Sequence, residues 1–207
     1  MLVIVLLLSY LIGSIPTSII TAKVLKGIDI RDYGSGNAGG TNTFRVLGWR
    51  AGLFVSAVDV FKGFAAAFWI ARPAYGAFGL EPEALQLMAG CAAVTGHVWT
   101  VFARFRGGKG VAAAAGLLLA LNWQALLICA AIFAALLFAF RIVSLASISA
   151  ALSLPLVLSL YRYLLNRPVA DSLFYFSFAA AAFIAFTHRS NIKRLLSGGE
   201  NTFKKKK

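Results

Sequence analysis

Five apolar stretches of about 20 residues, at 2–22, 51–71, 84–103, 142–164 and 169–187, leave this chain few ways to fold. A bilayer's hydrocarbon core, about 30 Å thick, takes about 20 helical residues to cross, and inside it each backbone N–H and C=O must be satisfied by its own segment. The chain is therefore expected to be an all-α polytopic membrane protein. Composition agrees, because 60% hydrophobic residues and a mean hydropathy of +0.81 are too apolar for a solvated surface. No basic residue precedes the first run and Lys23 and Lys26 follow it, the reverse of a secretory signal peptide. It reads as a retained anchor with its N-terminus outside.

Residues 111–140 form a further apolar stretch that as a single helix would measure about 45 Å, too long for one ordinary span. Asn122-Trp123-Gln124 divides it into runs of 11 and 16 residues, each short for a full crossing. Two spans here give about seven transmembrane helices in all, some short, and a cytoplasmic C-terminus. With seven, only Arg72, Arg162 and Arg167 lie outside. Lys23, Lys26, Arg31, Arg45, Arg50, Arg104, Arg106, Lys109, Arg141 and the basic C-terminal residues through Lys204–Lys207 gather inside, as the positive-inside rule requires. The net charge of +13 is thus explained by topology, and its spread over short connectors excludes a nucleic-acid face. Cys91 and Cys129 sit inside apolar runs and the only histidines are His97 and His188, so neither a metal nor a disulfide is expected.

The polar loops carry the chemistry. Gly107-Gly108-Lys109-Gly110 runs directly into the apolar segment from Val111. Glycines let backbone amides approach an anion, a helix N-terminus adds roughly half a positive charge, and the lysine completes a phosphate-sized trap. A nucleotide P-loop would need Ser or Thr at position 110, so a small phosphate or phosphate ester is the expected ligand; a plain connector with a positive-inside lysine is the alternative. Residues 33–45 are dense in glycine, hydroxyl and amide groups. There Ser35, Gly36, Asn37, Thr41 and Asn42 offer close backbone approach and neutral hydrogen bonds, and Arg45 offers a planar fork for phosphate.

Asp59 and Lys62, three apart inside the second span, share a helix face and read as a structural ion pair rather than a catalytic one. His97, near the inner end of the third span, can contact the site or simply pack with a hydrogen bond. His188 and Asn191 share a face after the last span, in a segment whose Leu195 and Leu196 alternate with cations as an interfacial helix would. Arg141 and Ser144 open the sixth span. These segments are expected to converge on a cationic, glycine-lined pocket open to lipid.

Three blocks, in order and with this hydrophobic spacing, carry a resemblance over nearly the whole chain. They are Gly34-Ser35-Gly36-Asn37-x-Gly39-x-Thr41-Asn42 with Arg45; Gly96-His97 leading to Phe105-x-Gly107-Gly108-Lys109-Gly110-Val111; and His188-Arg189-x-Asn191-Ile192-x-Arg194-Leu195 with Gly198 and Glu200. They resemble the bacterial acyl-phosphate:glycerol-3-phosphate acyltransferase family, PlsY, of integral membrane enzymes. The resemblance implies a single membrane-embedded acyltransferase domain over 1–207, in the bacterial cytoplasmic (inner) membrane with its active site facing the cytoplasm. It further implies transfer of a fatty acyl group from acyl phosphate to the 1-hydroxyl of sn-glycerol 3-phosphate, giving lysophosphatidic acid and phosphate without a cofactor. Implied partners are the two substrates, membrane lipid and the soluble enzyme that makes acyl phosphate.

On this reading Ser35, Arg45, Lys109, His188 and Asn191 bind the phosphates and stabilise charge on the carbonyl, while Gly107, Gly108 and Gly110 hold glycerol 3-phosphate. Gly36, Asn37, Thr41, Asn42, His97 and Ser144 complete the substrate contacts, and Glu200 is structural. The resemblance implies proton removal by a substrate phosphate oxygen; a covalent acyl-Ser35 is the rival mechanism. The His-x-x-x-x-Asp pair common to thioester-using acyltransferases is missing, since Phe102 and Lys193 stand five residues after the two histidines. An organic phosphate transporter is the alternative from another class, given a basic pocket among short helices.

Overall fold

The structure, a computed structural model, describes residues 1–203, and Lys204–Lys207, expected on the cytoplasmic side, lie outside the described residues. Every regular element among the described residues is a helix, with no strand among them. They divide into two compact units, the first ending at Leu121 and the second starting at Asn122.

In the first unit, α1 (Leu2–Ser14) and α2 (Thr17–Lys26) are separated by Ile15-Pro16. Proline supplies no N–H and disfavours helical geometry in the residue before it, so the run expected as one uninterrupted segment breaks here. The break leaves carbonyls that α1 cannot pair by itself. Side chains from elsewhere in the unit take them: Thr100 Oγ1 donates to the Ser14 carbonyl, and Lys62 Nζ donates to that of Ile15 at 2.5 Å. Lys62 also donates to Thr17 Oγ1 at 2.5 Å and to Asp59 Oδ1 at 2.8 Å, which uses all three ammonium protons. The expected Asp59–Lys62 ion pair is therefore present, and it secures the broken helix.

A short helix, α3 (Gly40–Leu47), leads into α4 (Trp49–Ala65), which continues through a π-helical turn at Ala66–Ile70. Next come α5 (Pro82–Val98), with proline at its first position where no N–H is required, and α6 (Val111–Leu121). Packing pairs α1 with α5 and α4 with both α3 and α6. The α4–α6 seam is tight: a Cβ at Gly116 would run into the Val60 carbonyl, and one at Gly63 into that of Ala113.

The second unit opens where the sequence predicts a break. Asn122 caps α7 (Trp123–Phe140), its Oδ1 accepting from the Ala125 N–H at 2.9 Å. That leaves α6 at 11 residues and gives α7 18. Two more helices, α8 (Val143–Ser159) and α9 (Asp171–Thr187), pack in sequence, and α10 (Arg189–Leu196) rests on both. Among the described residues, five helical stretches are long and apolar enough to cross a membrane: Leu2–Lys26, Trp49–Ala74, Pro82–Ala103, Trp123–Phe140 and Val143–Leu164. The other two expected spans, Val111–Leu121 and Asp171–Thr187, are shorter apolar helices.

Candidate functional site

The first unit holds the two glycine-rich loops. In the earlier one Ser35 rides between Gly34 and Gly36, both at positive φ, and its N–H donates to Asn42 Oδ1 at 2.8 Å. Asn42 Nδ2 donates to the Ile30 carbonyl at 3.0 Å and the Tyr33 carbonyl at 2.9 Å. With 0% exposure, Asn42 is a clasp that folds the loop over the start of α3. Its amide, expected to meet substrate, is committed to backbone. By contrast Ser35, Asn37, Thr41 and Arg45 are half-buried, so the loop's outward polar groups coincide with the expected ligand contacts.

Arg31, which the sequence marks only as an inside charge, ties this loop to the next. Its Nη2 lies 2.6 Å from Asp29 Oδ2, and its Nη1 donates to the Ala103 carbonyl at 2.9 Å. The hydrogen bonds from Arg31 hold the Asp29 carboxyl below the usual carboxylate range. No local pattern announces that contact, whose partner is 72 residues away.

The glycine turn hangs from the end of α5. A helix C-terminus leaves carbonyls without intrahelical donors, and here those of His97 and Val98 accept the N–H groups of Gly108 and Gly107, each at 3.0 Å. Two amides expected to face an anion are thus spent on protein. Of the expected anion trap, these bonds do not involve Lys109 or the N-terminus of α6, which starts one residue beyond Gly110. Gly108 also lies against the Ala38 carbonyl and the His97 imidazole, where a Cβ would collide with Nε2. The earlier loop, at Ala38, and the glycine turn, at Gly108, therefore lie side by side.

His97 itself is 8% exposed, and its Nδ1 stands 3.6 Å from Asp59 Oδ1. Lys62, Asp59 and His97 form one buried polar cluster joining the helix break to the glycine turn.

The second unit carries Ser144, His188 and Asn191, all buried. His188 Nδ1 lies 2.8 Å from the Ile184 carbonyl. A carbonyl only accepts, so Nδ1 carries the proton and Nε2 is the basic nitrogen of the neutral ring. Asn191 Nδ2 donates to Glu200 Oε1 at 2.7 Å, and Arg194 Nε donates to Oε2 at 2.9 Å. The segment after Glu200 is held further by the Phe203 N–H, which donates to the Arg141 carbonyl at 3.0 Å. Ser144 Oγ makes no hydrogen bond among the described residues, yet it is near enough to Glu200 to favour the carboxylate.

Burial pushes the Glu200 carboxyl up, but the Asn191 and Arg194 hydrogen bonds and the Arg194 charge overcome it, leaving it below the ordinary glutamate value. A group whose folded value is depressed stabilises above its unfolded value, and that stability is lost as pH falls through the folded one. The Asn191 clasp is therefore expected to be intact at neutral pH and to loosen in the acid range below the ordinary glutamate value. Thermal unfolding in detergent at stepped acid pH should show this loss, and Glu200→Gln should flatten the dependence; an unchanged profile in the variant would contradict it.

A family model described as glycerol-3-phosphate acyltransferase matches residues 3–198. The glycerol-3-phosphate acyltransferase of Chlorobium phaeobacteroides (strain BS1) is 48% identical, covering 98% of this chain and 97% of that protein. That of Chlorobaculum tepidum is 49% identical, with 95% and 94% covered. Among solved structures, PlsY, an integral membrane glycerol 3-phosphate acyltransferase, in its glycerol 3-phosphate form matches with a TM-score of 0.86 at 36% identity, covering 98% of this chain and 96% of that one. The lysophosphatidic acid form of PlsY matches with a TM-score of 0.83 at 35% identity, over 98% and 95%.

Proposed function

This chain belongs to the glycerol-3-phosphate acyltransferase family of integral membrane proteins, and we propose that it takes its acyl group from acyl phosphate. The acceptor is the 1-hydroxyl of glycerol 3-phosphate, and the products are lysophosphatidic acid and inorganic phosphate. The forms in which PlsY was solved support the same acceptor and product here. The observation that carries the donor assignment is the pair of cations that follow or lie in the glycine-rich loops, Arg45 on α3 and Lys109 in the glycine turn, together with the missing His-x-x-x-x-Asp pair. An acyl phosphate is already activated, so the protein's task is alignment and charge stabilisation.

The hydroxyl oxygen bonds to the acyl carbon, the bond from that carbon to the phosphate oxygen breaks, and the hydroxyl proton passes to a phosphate oxygen of the substrates. Arg45 and Lys109 neutralise the phosphates, and Ser35, Asn37 and Thr41 hydrogen-bond them. His188, its ring fixed by the Ile184 carbonyl, and Asn191, fixed by Glu200, align the reacting groups, with Ser144 adding a further contact. Asn42 shapes the loop that presents Ser35. The continuous family match supports one catalytic domain. Seven spans, a cytoplasmic C-terminus and a cytoplasm-facing site in a bacterial inner membrane fit the charge asymmetry. In this setting the soluble maker of acyl phosphate is the natural supplier.

Purified protein in detergent, given palmitoyl phosphate and glycerol 3-phosphate without coenzyme A, should release phosphate and lysophosphatidic acid in equal amounts. Product from palmitoyl-coenzyme A at the same rate would overturn the donor assignment. An acylated Ser35 trapped on quenching would replace direct transfer with the covalent route. The transporter reading finds no support in the family matches, and it would return only if organic phosphate crossed liposomes with no lipid product formed.

A further inference from the structure

The ion pair between Asp59 and Lys62 accounts for the helix break, but it leaves His97 unexplained. Lys62 has no proton to spare, because Asp59, the Ile15 carbonyl and Thr17 take all three. Asp59 Oδ1 nonetheless stands between that ammonium and the His97 imidazole, with Nδ1 at 3.6 Å. All three side chains are buried, so the arrangement is held by packing and charge rather than by solvent.

His97 meets the glycine turn twice. Its carbonyl accepts the Gly108 N–H, and the opposite edge of its ring occupies the space that a side chain at Gly108 would need. Turning the ring would press on the Gly108 backbone, and Lys109 is the next residue. The Asp59 carboxylate lies behind the ring, its Oδ1 3.6 Å from Nδ1.

We propose that Asp59, acting through His97, is a positioning residue for the turn at 107–110 and so sets the affinity for glycerol 3-phosphate. The inference rests on the reading above in which this turn holds that substrate. It separates two duties within one cluster: Lys62 closes the broken helix, and Asp59 aims the substrate-binding turn. A purely structural pair would affect folding and both substrates alike.

The test is steady-state kinetics of the full chain in detergent, with glycerol 3-phosphate and palmitoyl phosphate varied in turn. Asp59→Asn combined with Lys62→Met removes the pair without leaving a buried lone charge. The double variant should raise KM for glycerol 3-phosphate by about tenfold, with kcat and the KM for palmitoyl phosphate within about twofold. Gly108→Ala should give a similar selective rise, and the combination should be less than additive because both act on one turn. If the double variant does not purify folded, His97→Gln reads the same contact.

If Gly108→Ala raises that KM while Asp59→Asn/Lys62→Met and His97→Gln leave it unchanged, the positioning role is overturned and the substrate assignment stands. If Gly108→Ala itself leaves it unchanged, the substrate assignment of the turn fails, and this inference fails with it. Equal damage to both substrates and to kcat in a folded double variant would return the cluster to a structural role.

Discussion

Arg45→Ala and Lys109→Ala should each lower kcat/KM by about a hundredfold or more, with thermal unfolding in detergent close to that of the parent protein. Arg45 lies on α3, into which the first glycine-rich loop leads, and Lys109 lies in the glycine turn. The earlier loop is held by Asn42 and Arg31, and the later one by the Val98 and His97 carbonyls. On the proposed reaction, the lost term is the neutralisation of phosphate as negative charge passes from the carbonyl oxygen to the leaving group. A charge-assisted hydrogen bond contributes about 1.5–3 kcal/mol, and a planar fork makes two. Arg45→Lys keeps the charge but not the fork, so it should fall between the parent and the alanine variant. Phosphate release followed alongside lysophosphatidic acid gives the measurement, and near-parental kcat/KM in either alanine variant would remove that residue from the reaction.

Gly116→Leu is expected to abolish folding rather than chemistry. Its Cβ would lie in the Val60 carbonyl and only 2.8 Å from the Phe64 nitrogen, both backbone atoms that cannot swing aside. The reciprocal glycine, Gly63, is set equally close against α6, so the two helices cannot part on one side alone. Overpacking of this kind costs about 1–3 kcal/mol where a core can yield, and more where backbone meets backbone. Gly116→Ala should lower the unfolding temperature measurably, and Gly116→Leu should give aggregated material on size exclusion in detergent. A folded, active Gly116→Leu protein would show that α6 is not seated as described. Because α6 starts one residue after Gly110, a displaced α6 would carry Lys109 with it.

What the sequence conveyed depended on whether the signal was local. Asn122 interrupts an apolar stretch with an amide that caps a helix, so the break between α6 and α7 is legible from composition and length. Pro16 breaks an equally apolar stretch, yet Ile15 and Thr17 keep it hydrophobic enough to read as one span. The i, i+3 spacing of Asp59 and Lys62 gave the ion pair. The carbonyl it serves is 47 residues away, and no spacing rule reaches that far.

Residue type marked Asn42 and Gly107–Gly108 as ligand-binding because amides and glycines serve ligands and backbone equally well. Only the fold showed that Asn42 holds Ile30 and Tyr33, and that the end of α5 had already claimed the two glycine amides. The blocks of polar residues stand out in the sequence, whereas which of their groups are spent on backbone does not.

The broken first helix has a consequence for how the protein is made. Its Ser14 carbonyl is closed by Thr100, 86 positions later in the chain, and its Ile15 carbonyl, which the Thr17 N–H already serves, gains a second donor from Lys62, 47 positions later. At about 10 residues per second, a ribosome delivers those partners about 5 to 9 s after the break itself emerges. An unsatisfied carbonyl in hydrocarbon costs several kcal/mol, so the nascent first segment has reason to linger in the headgroup region until α4 and α5 arrive. Membrane insertion of this protein is then a matter of timing as well as hydropathy, with the opening segment settling to its full depth only after its later neighbours have been synthesised.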